Sequence, residues 1–254
     1  MTKILEVRNI KIGEGIPKIA VPIVGKNNQE LIEEAKGLKE IKFDVAEWRV
    51  DFYEDVQDIE KVKEVLSEIR KILSETPILF TFRNKKEGGE IEVSTEYYVK
   101  LNCQIAQTKM ADLIDVELFT GDDLVKEIVE IAHESGVKVV MSNHDFFKTP
   151  SEEQIVARLI RMKELKADLP KIAVMPQCED DVLTLLSATN KMKKKYPEQP
   201  IITMSMAGMG SVSRICGELF GSVLTFGAAK KASAPGQIGV ENLNTVLQIM
   251  HKSR

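Results

Sequence analysis

Two hydrophobic periods take turns along this chain, and the exchange between them recurs eight times. "KIAVPIVG", from Lys18 to Gly25, is a short and nearly continuous apolar run, and "NQELIEEAKGLKE" after it places apolar residues every three to four positions. The first is the pattern of a strand covered on both faces, the second that of an amphipathic helix. The pairing returns in "FDVAEWRVDF" with "IEKVKEVLSEIRKIL", "PILFTFR" with "STEYYVKLNCQIAQ", and "ADLIDVEL" with "DDLVKEIVEIAHESG". It continues in "VKVVMSNHDF" with "SEEQIVARLIRMKEL", "PKIAVMP" with "EDDVLTLLSATNKMKKK", "PIITMSM" with "GSVSRICGELFG", and "SVLTFG" with "VENLNTVLQIMHK". Gly136 reads as a helix C-cap, and Ser151 as an N-cap with Glu at its N2 to N3 positions.

Eight pairs in 254 residues give about 30 residues per unit, the size of a βαβ step. This predicts a closed (β/α)8 barrel as one domain over residues 1–254, with the hairpin-like start "MTKILEVRNIKIGEG" capping its bottom. An open doubly wound sheet shares the alternation, but it announces its ligand site with a glycine-rich first turn, and "VGKNNQE" is not one.

Composition narrows the function classes. With 43% hydrophobic and 29% charged residues and a net charge of -4, the chain has no basic footprint for nucleic acid. It has no apolar run long enough for a membrane span, and its start lacks the apolar core of a signal peptide, so a cytoplasmic location is expected. Cys103, Cys178 and Cys216 are far apart with no CxxC spacing, and the three histidines show no ligand spacing. Neither a disulfide framework nor a metal site is expected.

In a barrel, the carboxyl ends of the strands converge on one mouth. Those positions hold Glu47, Arg49 and Asp51, then Arg83, Asp115 and Glu117, then Asn143, His144 and Asp145, then Met204 and Met206 with Arg214 just beyond. Glu47–Arg83 and Asp115–Arg49 are possible ion pairs that would hold the mouth together. His133, near a helix C-terminus, and His251, in the terminal helix, read as structural or solvated. His144 alone stands at a strand end, next to the strand of Lys171. Lys171 precedes the apolar run "IAVM", at what looks like the amino end of its strand. It has two possible fates: to carry its ammonium out to water, or to turn inward as an amine nucleophile.

At these positions the residues match a family. "GEGIPKI", "AEWRVDFYED", "FTFRNKKEGGE", "LIDVEL", "SNHDFFKTP", "ADLPKIAVMP", "TMSMAGMGSVSR" and "LTFGAAKKASAPGQI" together resemble the type I 3-dehydroquinate dehydratases (3-dehydroquinases), lyases of the shikimate pathway. The resemblance runs from the first strand to the last loop. It implies dehydration of 3-dehydroquinate to 3-dehydroshikimate through a Schiff base on Lys171, with His144 as general acid/base and Glu87 supporting it. It also implies that Arg214, Ser233 and Gln237 hold the substrate carboxylate, that Glu47, Arg49 and Arg83 hold the ring hydroxyls, and that Met204 and Met206 form an apolar wall. No cofactor and no metal are implied, and the assembly implied is a homodimer. Two positions depart from the pattern. Pro22 stands where some members have serine, which removes a hydroxyl contact, and Lys166 stands where many have glycine, at a helix end.

An unperturbed lysine, with a pKa of about 10.4, is neutral in only about one molecule in 2,500 at pH 7. Packing against Met204, Met206 and Val174 and nearness to arginines are the expected means of favouring the neutral amine. The loop "KKASAPGQIG" reads as a lid carrying Ser233 and Gln237. Two other readings remain: a class I aldolase with phosphate at "AGMGSVSR", and a non-catalytic barrel that binds a polyhydroxy acid.

Overall fold

The protein is described by a computed structural model, in which residues 4–229 and 235–253 are described. Strands β1 (Leu5–Val7) and β2 (Ile10–Ile12) form an antiparallel hairpin. Eight parallel strands follow: β3 (Lys18–Ile23), β4 (Val45–Arg49), β5 (Ile78–Thr81), β6 (Leu113–Glu117), β7 (Lys138–Asp145), β8 (Leu169–Val174), β9 (Ile202–Ser205) and β10 (Leu224–Ala228). From β3 to β9 each pairs with the next in chain order, and β10 pairs with β3. The remaining seam, between β9 and β10, closes through the parallel bridge Ile201–Ser222. A two-residue strand, β11 (Ile238–Gly239), adds to β10. The (β/α)8 barrel read from the sequence is the fold observed.

Between the strands run α1 (Asn28–Leu38), α2 (Ile59–Ile72), α3 (Thr95–Thr108), α4 (Asp122–Glu134), α5 (Glu152–Glu164) and α6 (Glu179–Lys195). The stretch read as one helix after β9 is two short ones, α7 (Ser211–Ile215) and α8 (Gly217–Phe220), and α9 (Val240–Lys252) follows. Gly136, at φ +79°, follows the end of α4 as expected of a C-terminal cap. Ser151 caps α5, but the two glutamates fall at N1 and N2, and Gln154 at N3 completes the capping box. Lys166, at φ +65° just past α5, occupies the left-handed region that a non-glycine residue adopts only at a cost.

Strand period 2 sorts the side chains into two cores. Outward residues such as Ile19, Trp48, Phe80, Val116, Met141 and Val174 pack against the helices. Inward residues begin with one floor residue per strand: Ala20, Val45, Leu79, Leu113, Val140, Leu169, Ile202 and Leu224. Leu5, Val7 and Ile12 of the hairpin join this inner cluster, so the hairpin plugs the bottom of the barrel. Arg8 fastens the hairpin through Asp112, its Nε donating to Oδ1 at 2.6 Å, and Arg70 pairs with the same carboxylate.

Counting two residues up from each floor residue gives the layer Pro22, Glu47, Thr81, Asp115, Ser142, Lys171, Met204 and Phe226. Two more give the rim, with Arg49, Arg83, Glu117, His144, Ala173 and Met206. The polar residues of the barrel therefore share the interior because they share a parity with its floor.

Candidate active site

Lys171 is the third residue of β8, not a residue before it, and is 4% exposed. The proline at 170 falls near the start of the strand, the position in a sheet that tolerates proline, and there it disguised the strand's true beginning. Leu169 and Ala173 share the inward face with Lys171, while Ile172 and Val174 face the helices. The lysine Nζ lies 3.3 Å from Asp115 Oδ2, 3.8 Å from Glu47 Oε1 and 4.5 Å from the centroid of the Phe226 ring. These surroundings correct the expected ones. Val174 points away, and the groups at Nζ are carboxylates and an aromatic face, which suit a cation.

His144 sits in the rim near the end of β7, and its ring stacks on Phe146 with centroids 6.5 Å apart. Its Nδ1 is 3.0 Å from Glu87 Oε2, and its backbone N–H donates to the same oxygen at 2.9 Å. Asn143 Nδ2 donates to Glu87 Oε1 at 3.1 Å, so both carboxylate oxygens are fixed. Glu87 ends the single helical turn Lys85–Glu87, and Gly88 follows at φ +86°. A Cβ at Gly88 would lie 2.3 Å from the Phe146 ring, so only glycine admits this contact. With Nδ1 committed to Glu87, Nε2 is the imidazole nitrogen left for chemistry.

Burial lowers the His144 pKa well below its ordinary value, and the positive charges of Arg83, Lys171 and Arg49 add to this. Burial pushes the Glu87 carboxyl up to about 7, against the pull of Arg83 and its hydrogen bonds. Glu87 therefore destabilises the native state progressively as pH rises from its unfolded value through about 7, because the folded form holds the proton more tightly. Glu87→Gln removes that titration. The variant's unfolding free energy should gain on the parent's by up to about 3 kcal/mol between pH 4.5 and pH 7. Urea unfolding at several pH values measures it, and a constant difference between the two proteins would count against a buried, proton-retaining Glu87.

The expected ion pairs Glu47–Arg83 and Asp115–Arg49 do not form. Arg83, just past β5, lies 2.7 Å from Asp115 and 2.9 Å from Glu117, and Nη1 donates to Ser142 Oγ at 2.8 Å. Arg49 pairs with Asp51 through two bonds of 2.8 Å, because the chain turns into a 3-10 turn at Val50–Phe52 and folds Asp51 back rather than continuing the strand. Glu47 accepts from Thr81 Oγ1 at 3.1 Å. Arg214 is 1% exposed, with Nη2 donating to Pro235 O at 3.1 Å, Nη1 3.8 Å from Met204 Sδ, and Nε without a partner among the described residues. Burial alone lowers its pKa to about 10.

One cavity at the barrel mouth gathers Lys171, His144, Glu87, Glu47, Arg49 and Arg83. Arg214, Met204, Met206 and Gln237 line it as well. Ser233 lies outside the described residues. A larger hollow of about 530 Å³, between α1, α9 and the ends of β3 and β10, is walled by Glu30, Glu33, Glu34 and Glu241 and has no amine, imidazole or guanidinium among the described residues that line it. Sequence reasoning passed over Ser142, Phe146 and Phe226. Counting parity from the floor residues finds Ser142 and Phe226, whereas nothing local marks Phe146. His133 pairs with Asp168 and His251 with Glu218, both away from the mouth.

A parallel barrel whose carboxyl-end mouth gathers an amine, an imidazole and a guanidinium has the layout of a barrel enzyme's active site. The family model of the type I 3-dehydroquinases matches residues 19–254, and the chain belongs to that family. It is 66% identical over 253 residues to the 3-dehydroquinate dehydratase of Clostridium botulinum (strain Eklund 17B / Type B), covering 100% of both chains. It is similar to the crystal structure of the type I enzyme from Clostridium difficile with covalent modified comenic acid, at TM-score 0.97 and 60% identity over 100% of both chains. The 3-dehydroquinate dehydratase of Geobacillus kaustophilus HTA426 aligns at TM-score 0.96 and 37% identity, covering 99% of this chain and 98% of that one.

Proposed function

We propose that this hydro-lyase dehydrates 3-dehydroquinate through an imine on Lys171, with His144 moving the protons. The observation that carries the reading is the single cavity shared by Lys171, His144 and Arg214. A ketone condensed with the lysine becomes a cationic imine, which acidifies the neighbouring C–H far more than the carbonyl does. His144 is neutral near pH 7, since its pKa is well below the ordinary value, so it can take that proton. The imidazolium so formed is strongly acidic for the same reason. It can hand a proton to the departing hydroxyl, which leaves as water. Hydrolysis of the product imine returns the amine. Glu87 holds the ring through Nδ1 and so aims Nε2 at the substrate.

Arg214 is a buried guanidinium with no acidic partner among the described residues, and an arriving carboxylate would supply the missing charge. Arg49 and Glu47 line the cavity where ring hydroxyls would lie. Arg83 is already engaged by Asp115, Glu117 and Ser142, so its part is to hold the frame as much as to meet substrate. Pro22, in the same layer as Glu47, offers no hydroxyl.

Pro235 accepts from Arg214 and from the Ala207 N–H, and Gln237 lines the cavity beside it. These contacts suit a lid that carries Gln237 over the substrate. The homodimer and the cytoplasmic location rest on the resemblance and the composition read above.

The test concerns the anion. Arg214→Leu should lower kcat/KM about 100-fold or more, the scale for unpairing a buried charged contact. A substrate analogue with carboxamide in place of carboxylate should suffer in the parent and lose nothing further in the variant. A further loss of the same size would place the carboxylate elsewhere.

A further inference from the structure

We infer that Asp115, clamped by Ser142 and Arg83, is the counter-ion that keeps positive charge on the Lys171 nitrogen through the covalent stage of the reaction. This rests on the imine chemistry proposed above and adds a residue to it. Asp115 is fully buried. Its Oδ1 accepts from Ser142 Oγ at 2.6 Å and lies 2.7 Å from Arg83 Nη2, while Oδ2 is the oxygen 3.3 Å from Lys171 Nζ. It does not line the cavity, unlike Glu47. Asp115 therefore meets the chemistry only at the lysine nitrogen, from the side away from substrate.

The charge balance suits such a fixed partner. Ammonium plus ketone gives cationic imine plus water, with one positive charge on the nitrogen at both ends. In between, two protons leave the nitrogen with the carbonyl oxygen, and one N–H remains. A carboxylate set against that N–H favours the cationic imine over the neutral imine, which is a much weaker carbon acid. The carboxylate must not itself take the proton. Burial would raise the Asp115 pKa, but Arg83, Lys171 and the Ser142 hydrogen bond outweigh it and hold the group below the ordinary carboxylate range. Ser142 is a positioning residue here. It faces Lys171 across the β7–β8 register and receives a bond from Arg83, so its hydroxyl fixes the direction of Oδ1.

The other charged groups around the nitrogen are accounted for. Glu47 of β4 is farther away and already accepts from Thr81, and His144 of β7 is the proton carrier. Arg83 lies behind Asp115, and Phe226 of β10 presents only its ring.

The experiment compares the parent, Asp115→Asn and Ser142→Ala with 3-dehydroquinate. Asp115→Asn should lower kcat about 100-fold while KM changes by less than about threefold, because the residue does not touch the bound ring. Its kcat should recover as pH falls from about 8 to about 6, since solution protons then restore the cationic imine, whereas the parent shows no such acid recovery. Ser142→Ala should lower kcat about tenfold with the same split. A folded Asp115→Asn with kcat within about threefold of the parent, or without acid recovery, overturns the inference. If Asp115→Asn does not fold, an unchanged kcat in Ser142→Ala overturns it. Borohydride trapping of the parent separates the two levels: no adduct on Lys171 defeats the imine reading itself, while an adduct with unaffected variants defeats only the counter-ion.

Discussion

Lys171→Met should lose turnover by about 10⁶-fold, the order found when a covalent nucleophile is removed from an enzyme that acts as a unit with its base. Methionine fills nearly the volume of the lysine stem, so the inner layer stays packed beside Ala173 and Phe226. Asp115 keeps Arg83 and Ser142 as partners, which limits the penalty of leaving a buried carboxylate short of one cation. The loss is therefore chemical. Steady-state assays on protein whose melting temperature is followed in parallel measure it. Activity within about tenfold of the parent would mean that the amine is not the nucleophile.

The second large effect belongs to His144. His144→Ala should still form the imine, since the amine and the ketone are both present, but eliminate water about 10⁴-fold more slowly. The covalent species should accumulate, visible by intact mass after reduction. The distinction matters because His144 is held to Glu87 through its ring Nδ1 and its backbone N–H and stacks on Phe146, with no hydrogen bond to the lysine. The proposed role is proton transfer at the substrate rather than holding Lys171. Near-parent elimination in the variant would move that role to another group, and failure to form any adduct would make His144 necessary earlier in the sequence of steps.

The sequence disclosed the barrel because parallel strands covered on both faces are apolar throughout and each is followed by a helix of period 3.6. It disclosed most of the rim for the same reason: a charge at the end of such a strand has few other places to be. Lys171 was harder. Its strand opens on Leu169 and Pro170, and a proline there looks like a boundary although it lies inside the element. Only the barrel register, with Lys171 opposite Ser142 and Ile202, shows that the side chain must face inward.

The ion pairs were not legible because they depend on which strands lie opposite each other across the barrel and on where each strand ends. Arg49 reaches Asp51 only because β4 stops at Arg49 and the chain turns. Asp115 takes Lys171 of its own layer and Arg83 of the rim because β6 lies between β5 and β8 in the barrel. The partnership of Gly88 with Phe146 joins two loops and leaves no periodic trace. Lys166 is the opposite case: it holds a left-handed backbone just past α5, the conformation that glycine adopts most readily.

The central claim is that Lys171 forms a covalent imine with the substrate, and borohydride reduction during turnover tests it most directly. The protein incubated with 3-dehydroquinate and borohydride should lose activity and carry one reduced adduct, mapped by peptide mass spectrometry to the Lys171 peptide. Unmodified Lys171 in protein that goes on converting substrate under the same conditions would contradict the account.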